Sequence, residues 1–149
     1  MTMSQRFNHC LQLAEGRSIF TGFAVSKRFV LVVDDEQAVA DTLRMVLEHH
    51  GFEARSIYSA EAALKFLESS TPDIVLSDVF MPGLNGVELA KAIRSKYPSC
   101  KVILMSGNSG TLALMSTSPE ERVLAKPFHP SELVKRLEQI EEGETPEMR

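Results

Sequence analysis

Four short stretches of this chain hold the residues whose types could do chemistry. They are Asp34-Asp35-Glu36, Asp78, Ser106 with Gly107-Asn108 behind it, and Lys126-Pro127. Gathered together, the three aspartates would repel. At about 4 Å each like-charged pair costs about 4 kcal/mol at an effective dielectric near 20. A divalent cation relieves that cost. All-oxygen ligation by few protein groups suits Mg2+, which keeps waters and favours a phosphate oxygen. Lys126 would supply a point charge for an anion, and Ser106 a hydroxyl donor. A carboxylate nucleophile, Mg2+, a lysine and a hydroxyl form a phosphoryl-transfer constellation, in which positioning and charge neutralisation do most of the work.

The elements between these stretches must bring them to one crevice, and the patterning predicts that they do. Phe29–Val33 is a continuous apolar, β-branched run, the mark of a strand buried on both faces. Glu36–His50 places Val39, Leu43, Val46 and Leu47 at helical spacing, with Gly51 as its stop. Phe52–Ile57 reads as a shorter strand. Ser59 caps a helix running to about Glu68, with Ala60, Ala63, Leu64 and Leu67 inward. Asp73–Ser77 is a buried strand, and the turn residues Met81–Gly86 lead into a helix over Val87–Lys96. Lys101–Met105 is the fourth strand, and Thr111–Ser116 offers a short fourth helix. Arg122–Ala125 is a brief fifth strand, and Ser131 caps a last helix with Leu133, Val134, Leu137 and Ile140 inward. Five βα units imply an α/β protein with a parallel sheet covered by helices on both faces. The unit count favours the flavodoxin-like doubly wound order 2-1-3-4-5. In that architecture the working crevice lies beyond the carboxyl ends of the strands. Each of the four stretches follows a strand, whereas the second strand ends in Tyr58-Ser59, which reads as capping.

With the residues so placed, the chain resembles the receiver domain of two-component response regulators over roughly residues 28–142. The matching text is Val32-Val33-Asp34-Asp35-Glu36, then Ser77-Asp78-Val79-Phe80-Met81-Pro82-Gly83 with Gly86, then Met105-Ser106-Gly107, then Ala125-Lys126-Pro127-Phe128. Any one piece is weak, but the four in order, each at a strand end, are specific. The resemblance implies that Asp78 is the phosphoacceptor for a phosphoryl group from a sensor histidine kinase or a histidine phosphotransfer protein. It implies that Asp35 binds Mg2+ directly, Asp34 mainly through water, and the backbone carbonyl of Phe80 as a further ligand. Ser106 matches the switch hydroxyl, Lys126 the lysine that pairs with the phosphoryl group, and Lys126-Pro127 a cis bond. Phe80 and Asn108 flank the expected path of attacking water. One departure stands out. The family usually carries Tyr or Phe three residues before the lysine, and here that residue is Val123. The ring swing coupled to the switch hydroxyl therefore has no ring, and ordering of the segment after Ser106 is the alternative switch.

Composition narrows the alternatives. The chain has 149 residues, 16 Lys+Arg against 20 Asp+Glu, and a net charge of −4. A mildly acidic balance argues against direct nucleic-acid binding, which favours a basic face. The longest apolar run has five residues, Phe29–Val33, far short of the roughly 20 of a membrane span. Cys10 and Cys100 belong to no CxxC and read as reduced thiols of a cytoplasmic protein. Residues 1–27 form an extension with helical spacing at Phe7, Cys10, Leu11 and Ala14, and residues 143–149 form a polar tail. No effector domain fits in so short a tail. The chain therefore reads as a single-domain regulator, or as a receiver cut from a larger hybrid kinase or regulator. Its output would pass to a protein through the last two helices and the last strand, with a homodimer compatible with that surface. An aspartyl-phosphate phosphatase would need an acid two residues after its nucleophile, where Phe80 stands, so turnover of an external substrate is not expected. A constitutive, phosphorylation-independent binding module is the remaining alternative, kept open by Val123. His49 and His50 close a helix, where partial positive charge is favourable. His9 and His129 lack metal-ligand spacing, and the methionines read mostly as core filler.

Overall fold

A computed structural model describes residues 27–107 and 122–143. The elements are β1 (Phe29–Val33), α1 (Gln37–His49), β2 (Glu53–Ile57), α2 (Ala60–Leu67), β3 (Ile74–Asp78), α3 (Gly86–Lys96), β4 (Lys101–Ser106), β5 (Arg122–Ala125) and α4 (Pro130–Gly143). The five strands form one sheet in the order β2-β1-β3-β4-β5, every neighbouring pair parallel. The expected doubly wound order is the one observed. The readings placed on residues 1–26, on the helix at 111–116, on Asn108 and on the tail lie outside the described residues.

The continuous apolar strands explain the layering, because alternate residues of a central parallel strand must be buried on opposite faces. Leu31, Val33, Val75, Val102 and Leu104 face α2 and α3, where Ala60, Ala63, Leu67, Leu89 and Ile93 meet them. Val30, Val32, Ile74, Leu76, Ile103 and Met105 face α1 and α4, against Ala40, Leu47, Leu133 and Leu137. On α1 the buried positions are Ala40 and Leu47, while Val39, Leu43 and Val46 are half-exposed. Leu47 and the partly buried Leu43 pack on this core as expected, and Ala40 joins them in place of Val39. Of the methionines among the described residues, Met81 and Met105 are buried and Met45 is exposed. Cys100 is a free, buried thiol, and burial pushes it up to about 12.

Local signals set most boundaries. Ser59 Oγ accepts the Ala62 N–H at 3.0 Å, as expected of a helix cap. Asn85 and Glu88 form a reciprocal capping box at the start of α3. Gly51, at φ +93°, turns the chain after α1. β3 begins one residue later than expected. Asp73 instead spends its side chain on the neighbouring strand, its Oδ2 accepting the Phe29 N–H at 2.8 Å. Ser131 does not cap α4. His129 does: its carbonyl accepts the Glu132 N–H at 2.9 Å and its Nδ1 accepts the Ser131 N–H at 3.1 Å. Pro130 takes the first helical position, where a missing N–H is harmless, and so pushes the serine into the first turn. Among the described residues no helix is long and apolar enough to cross a membrane.

Candidate functional site

Strand register brings the sequence-predicted residues to one end of the sheet. Val33 pairs with Ser77, so Asp34 and Asp78 follow at the same level on neighbouring strands. Asp78 pairs with Met105, and Ser106 pairs with Ala125, which puts Ser106 and Lys126 on the next two strand ends. The Lys126 N–H donates to the Ser106 carbonyl at 2.8 Å, tying those two ends together. The Lys126-Pro127 bond is cis.

The two adjacent aspartates have different surroundings. Asp34 is buried. Its N–H donates to the Ile57 carbonyl at 3.1 Å, and its Oδ1 accepts the Glu36 N–H at 3.0 Å. Its Oδ2 is buried and makes no hydrogen bond, lying 3.5 Å from Lys126 Nζ. Asp35 is exposed. Asp78 is half-buried, and its Oδ1 accepts from Lys126 Nζ at 3.0 Å. Asp34, Asp35 and Asp78 each present a carboxylate oxygen within 4.8 Å of the others.

That arrangement holds more negative charge than one ammonium can neutralise. Burial raises the Asp78 carboxyl above the ordinary aspartate range. The hydrogen bond and charge of Lys126 oppose that shift, and the charges of Asp34 and Asp35 add to it. Burial alone would lower the Lys126 ammonium, but the hydrogen bond it donates to Asp78 and the charges of Asp78 and Asp34 outweigh it, and the net shift is upward. A buried carboxylate oxygen without a hydrogen bond is costly, and a hard divalent cation among the three acids would relieve both Asp34 and Asp78. The donor set fits Mg2+.

The backbone between Asp78 and α3 is folded tightly behind the site. The Val79 N–H donates to Met105 O at 3.0 Å, and the Gly86 N–H donates to Val79 O at 2.8 Å. A Cβ on Gly86 would collide with the carbonyl oxygen of Asp78, so this close approach needs glycine. Phe80 leaves the loop with its ring exposed, while Met81 is buried in the core. Ser106 is buried. Val123 is half-buried against the α2–α3 core, and its carbonyl accepts from Arg136 Nη1 of α4 at 3.1 Å. Sequence reasoning missed that contact. It also missed Glu61, whose Oε2 accepts the Leu84 N–H at 2.9 Å across 23 positions of chain. Neither bond belongs to a local spacing pattern, so only the fold reveals it.

Comparisons with known proteins agree with this geometry. The model of the response regulator receiver domain matches residues 30–138. The DNA-binding response regulator MtrA of Mycobacterium tuberculosis is 32% identical over 110 residues, which cover 72% of this chain and 48% of that protein. The MtrA of Mycobacterium leprae matches to the same extent. The chain thus spans about half the length of these curated relatives. Among solved structures, the response regulator TrrA of Thermotoga maritima, in complex with Mg2+ and BeF, superposes with a TM-score of 0.70 at 32% identity, covering 76% of this chain and 98% of that one. The chemotaxis response regulator CheY4 of Vibrio cholerae gives 0.67 at 26% identity, covering 77% and 99%. With a family match over most of its length and relatives at this identity, the chain belongs to the response regulator receiver domains of two-component signalling.

Proposed function

We propose that this receiver is phosphorylated on Asp78 with the help of Mg2+ and switches its protein contacts in consequence. The observation that carries the reading is the shared site: three carboxylates around one point, with Lys126 reaching both Asp34 and Asp78. Asp35 and Asp78 would hold Mg2+ directly with the Phe80 carbonyl, and Asp34 would act through water. When bound, Mg2+ supplies charge neutralisation for the phosphoryl oxygens. Asp78 is the nucleophile. A carboxylate oxygen bonds to phosphorus as the P–N bond of a phosphohistidine breaks, and the imidazole leaves with a proton from solvent. Lys126 stays within reach of the new phosphoryl group, and Ser106 offers its hydroxyl from the neighbouring strand end. The donor is a histidine kinase or a histidine phosphotransfer protein. The output surface is β5, α4 and the helix expected at 111–116, on which a protein partner or a second copy would dock, and the setting is the cytoplasm. No external substrate is turned over, since Phe80 occupies the place of a phosphatase's second acid.

The test is the intact mass of the protein after incubation with acetyl phosphate and Mg2+, joined to NMR spectra with beryllofluoride. A mass gain and spectral shifts that need Mg2+ and vanish in Asp78→Ala support the reading. Shifts that persist in Asp78→Ala reject it. Val123 supports a second reading, a constitutive binding module, because the residue packs in the core and carries no ring to swing. Equal affinity for the output partner with and without beryllofluoride would select it.

A further inference from the structure

We infer that Glu61 of α2 is a positioning residue that latches the β3–α3 turn and thereby holds the Phe80 carbonyl where a metal ion needs it. The inference rests on the Mg2+ reading above. The turn after Asp78 must travel from β3 to α3 while leaving one carbonyl aimed at the carboxylates. Its two ends are closed by the Gly86 N–H on Val79 O and by the Asn85–Glu88 capping box. Between them the chain turns outward. Pro82 and Gly83 are exposed, and Gly83 has φ +78°.

Glu61 reaches this outward part from another element. Its Oε2 accepts the Leu84 N–H at 2.9 Å. The same oxygen lies 2.7 Å from where a Cβ of Gly83 would stand, so the turn is seated directly on the carboxylate. Glycine suits position 83 for its positive φ, and a Cβ there would push aside the end of the Glu61 side chain. The Leu84 hydrogen bond is also the first cause holding the Glu61 carboxyl below its ordinary range, so the interaction favours the ionised form. Met81, buried directly after the exposed Phe80, anchors the turn from inside. Phe80 thus precedes an inner anchor at Met81, and Glu61 supplies an outer one at Leu84, farther along the same turn. A latch placed this way acts on metal affinity through backbone order, without touching the ion.

The experiment is a calorimetric Mg2+ titration of the full chain, with backbone amide exchange at Leu84, for the wild type, Glu61→Ala and Glu61→Gln. Removing groups that orient metal ligands typically costs about 10- to 100-fold in affinity, and an exposed latch one step further out belongs at about 10-fold or below. The expected result is weaker Mg2+ binding and faster Leu84 exchange in Glu61→Ala, with both largely restored in Glu61→Gln, whose amide oxygen still accepts. A merely structural role would shift the melting temperature of Glu61→Ala and leave the Mg2+ affinity of its folded form unchanged. That result overturns the inference, as does slow Leu84 exchange in Glu61→Ala. If Glu61→Ala does not fold, Glu61→Lys and Gly83→Ala probe the same latch by replacing the acceptor and by displacing it. Failure of the wild type to bind Mg2+ would instead remove the phosphoacceptor reading itself.

Discussion

The two halves of the site are held in different ways. On the acid half, the ends of β1 and β3, nearly every backbone group is fixed by another element. Asp34 N–H is on Ile57 O, Val79 N–H on Met105 O, Gly86 N–H on Val79 O, and Leu84 N–H on Glu61. On the other half, Ser106 and Lys126 share one backbone bond. Among the described residues, a Cβ on Gly107 would meet Lys126 Cβ at 3.9 Å. Repulsion is concentrated on the acid half, and the cation that faces it comes from the other half. The lesson is that three like charges within 4.8 Å are held together by backbone geometry rather than by mutual attraction.

The largest expected effect comes from breaking the brace. Gly86→Ala drives a Cβ into the Asp78 carbonyl, and overpacking of this kind costs about 1–3 kcal/mol. Urea denaturation should show that loss, and Mg2+ binding should weaken with it because the collision falls on the backbone of Asp78 and Val79. A variant as stable as the wild type would mean that the brace is slack.

Removing the cation attacks the other half. Lys126→Met leaves Asp34 Oδ2 and Asp78 without their positive neighbour. The pair lies between an exposed and a buried salt bridge, so the loss in EDTA should be about 1–2 kcal/mol. Saturating Mg2+ should recover part of it, since the acids then gain another cation. A smaller effect is expected of Arg136→Ala, which releases the Val123 carbonyl and should cost about 1 kcal/mol by chemical denaturation. If that variant also changes the beryllofluoride response at Ser106, the α4–β5 bond carries signal where an aromatic ring is lacking.

Most of this arrangement is legible in the chain itself. Continuous runs such as Val30–Val33 and Val102–Met105 declare central strands, and a parallel doubly wound sheet then forces Asp34, Asp78, Ser106 and Lys126 to one end. What escapes is decided by contacts that leave no periodic trace. Ser131 has the right chemistry for a cap, yet the helix starts two residues earlier, at Pro130, and the task falls to His129. The burial of Ala40 in place of Val39 depends on how closely a small residue lets α1 approach the sheet. Glu61 looks like an ordinary first-turn acid until the fold lays Leu84 against it. The unpaired oxygen of Asp34 is visible only in three dimensions, because sequence gives the carboxylates without their partners.

The smallest effect is the sharpest test of the comparison, because its sign should reverse. Asp35 is exposed and contributes charge to the cluster, where it helps to raise the Asp78 carboxyl. Asp35→Asn keeps the shape and removes that charge. Without Mg2+ the variant should melt slightly higher than the wild type, by no more than a few tenths of a kcal/mol in stability, since exposed charges are well screened. With Mg2+ the order should invert. The wild type gains the binding energy of the ion, and the variant, short of one ligand, gains little of it. The comparison needs only two melting curves per protein, one in EDTA and one in Mg2+. A variant that melts no higher than the wild type in EDTA would show that Asp35 does not share the field of Asp34 and Asp78. The acid half would then be braced against a repulsion that two carboxylates alone create.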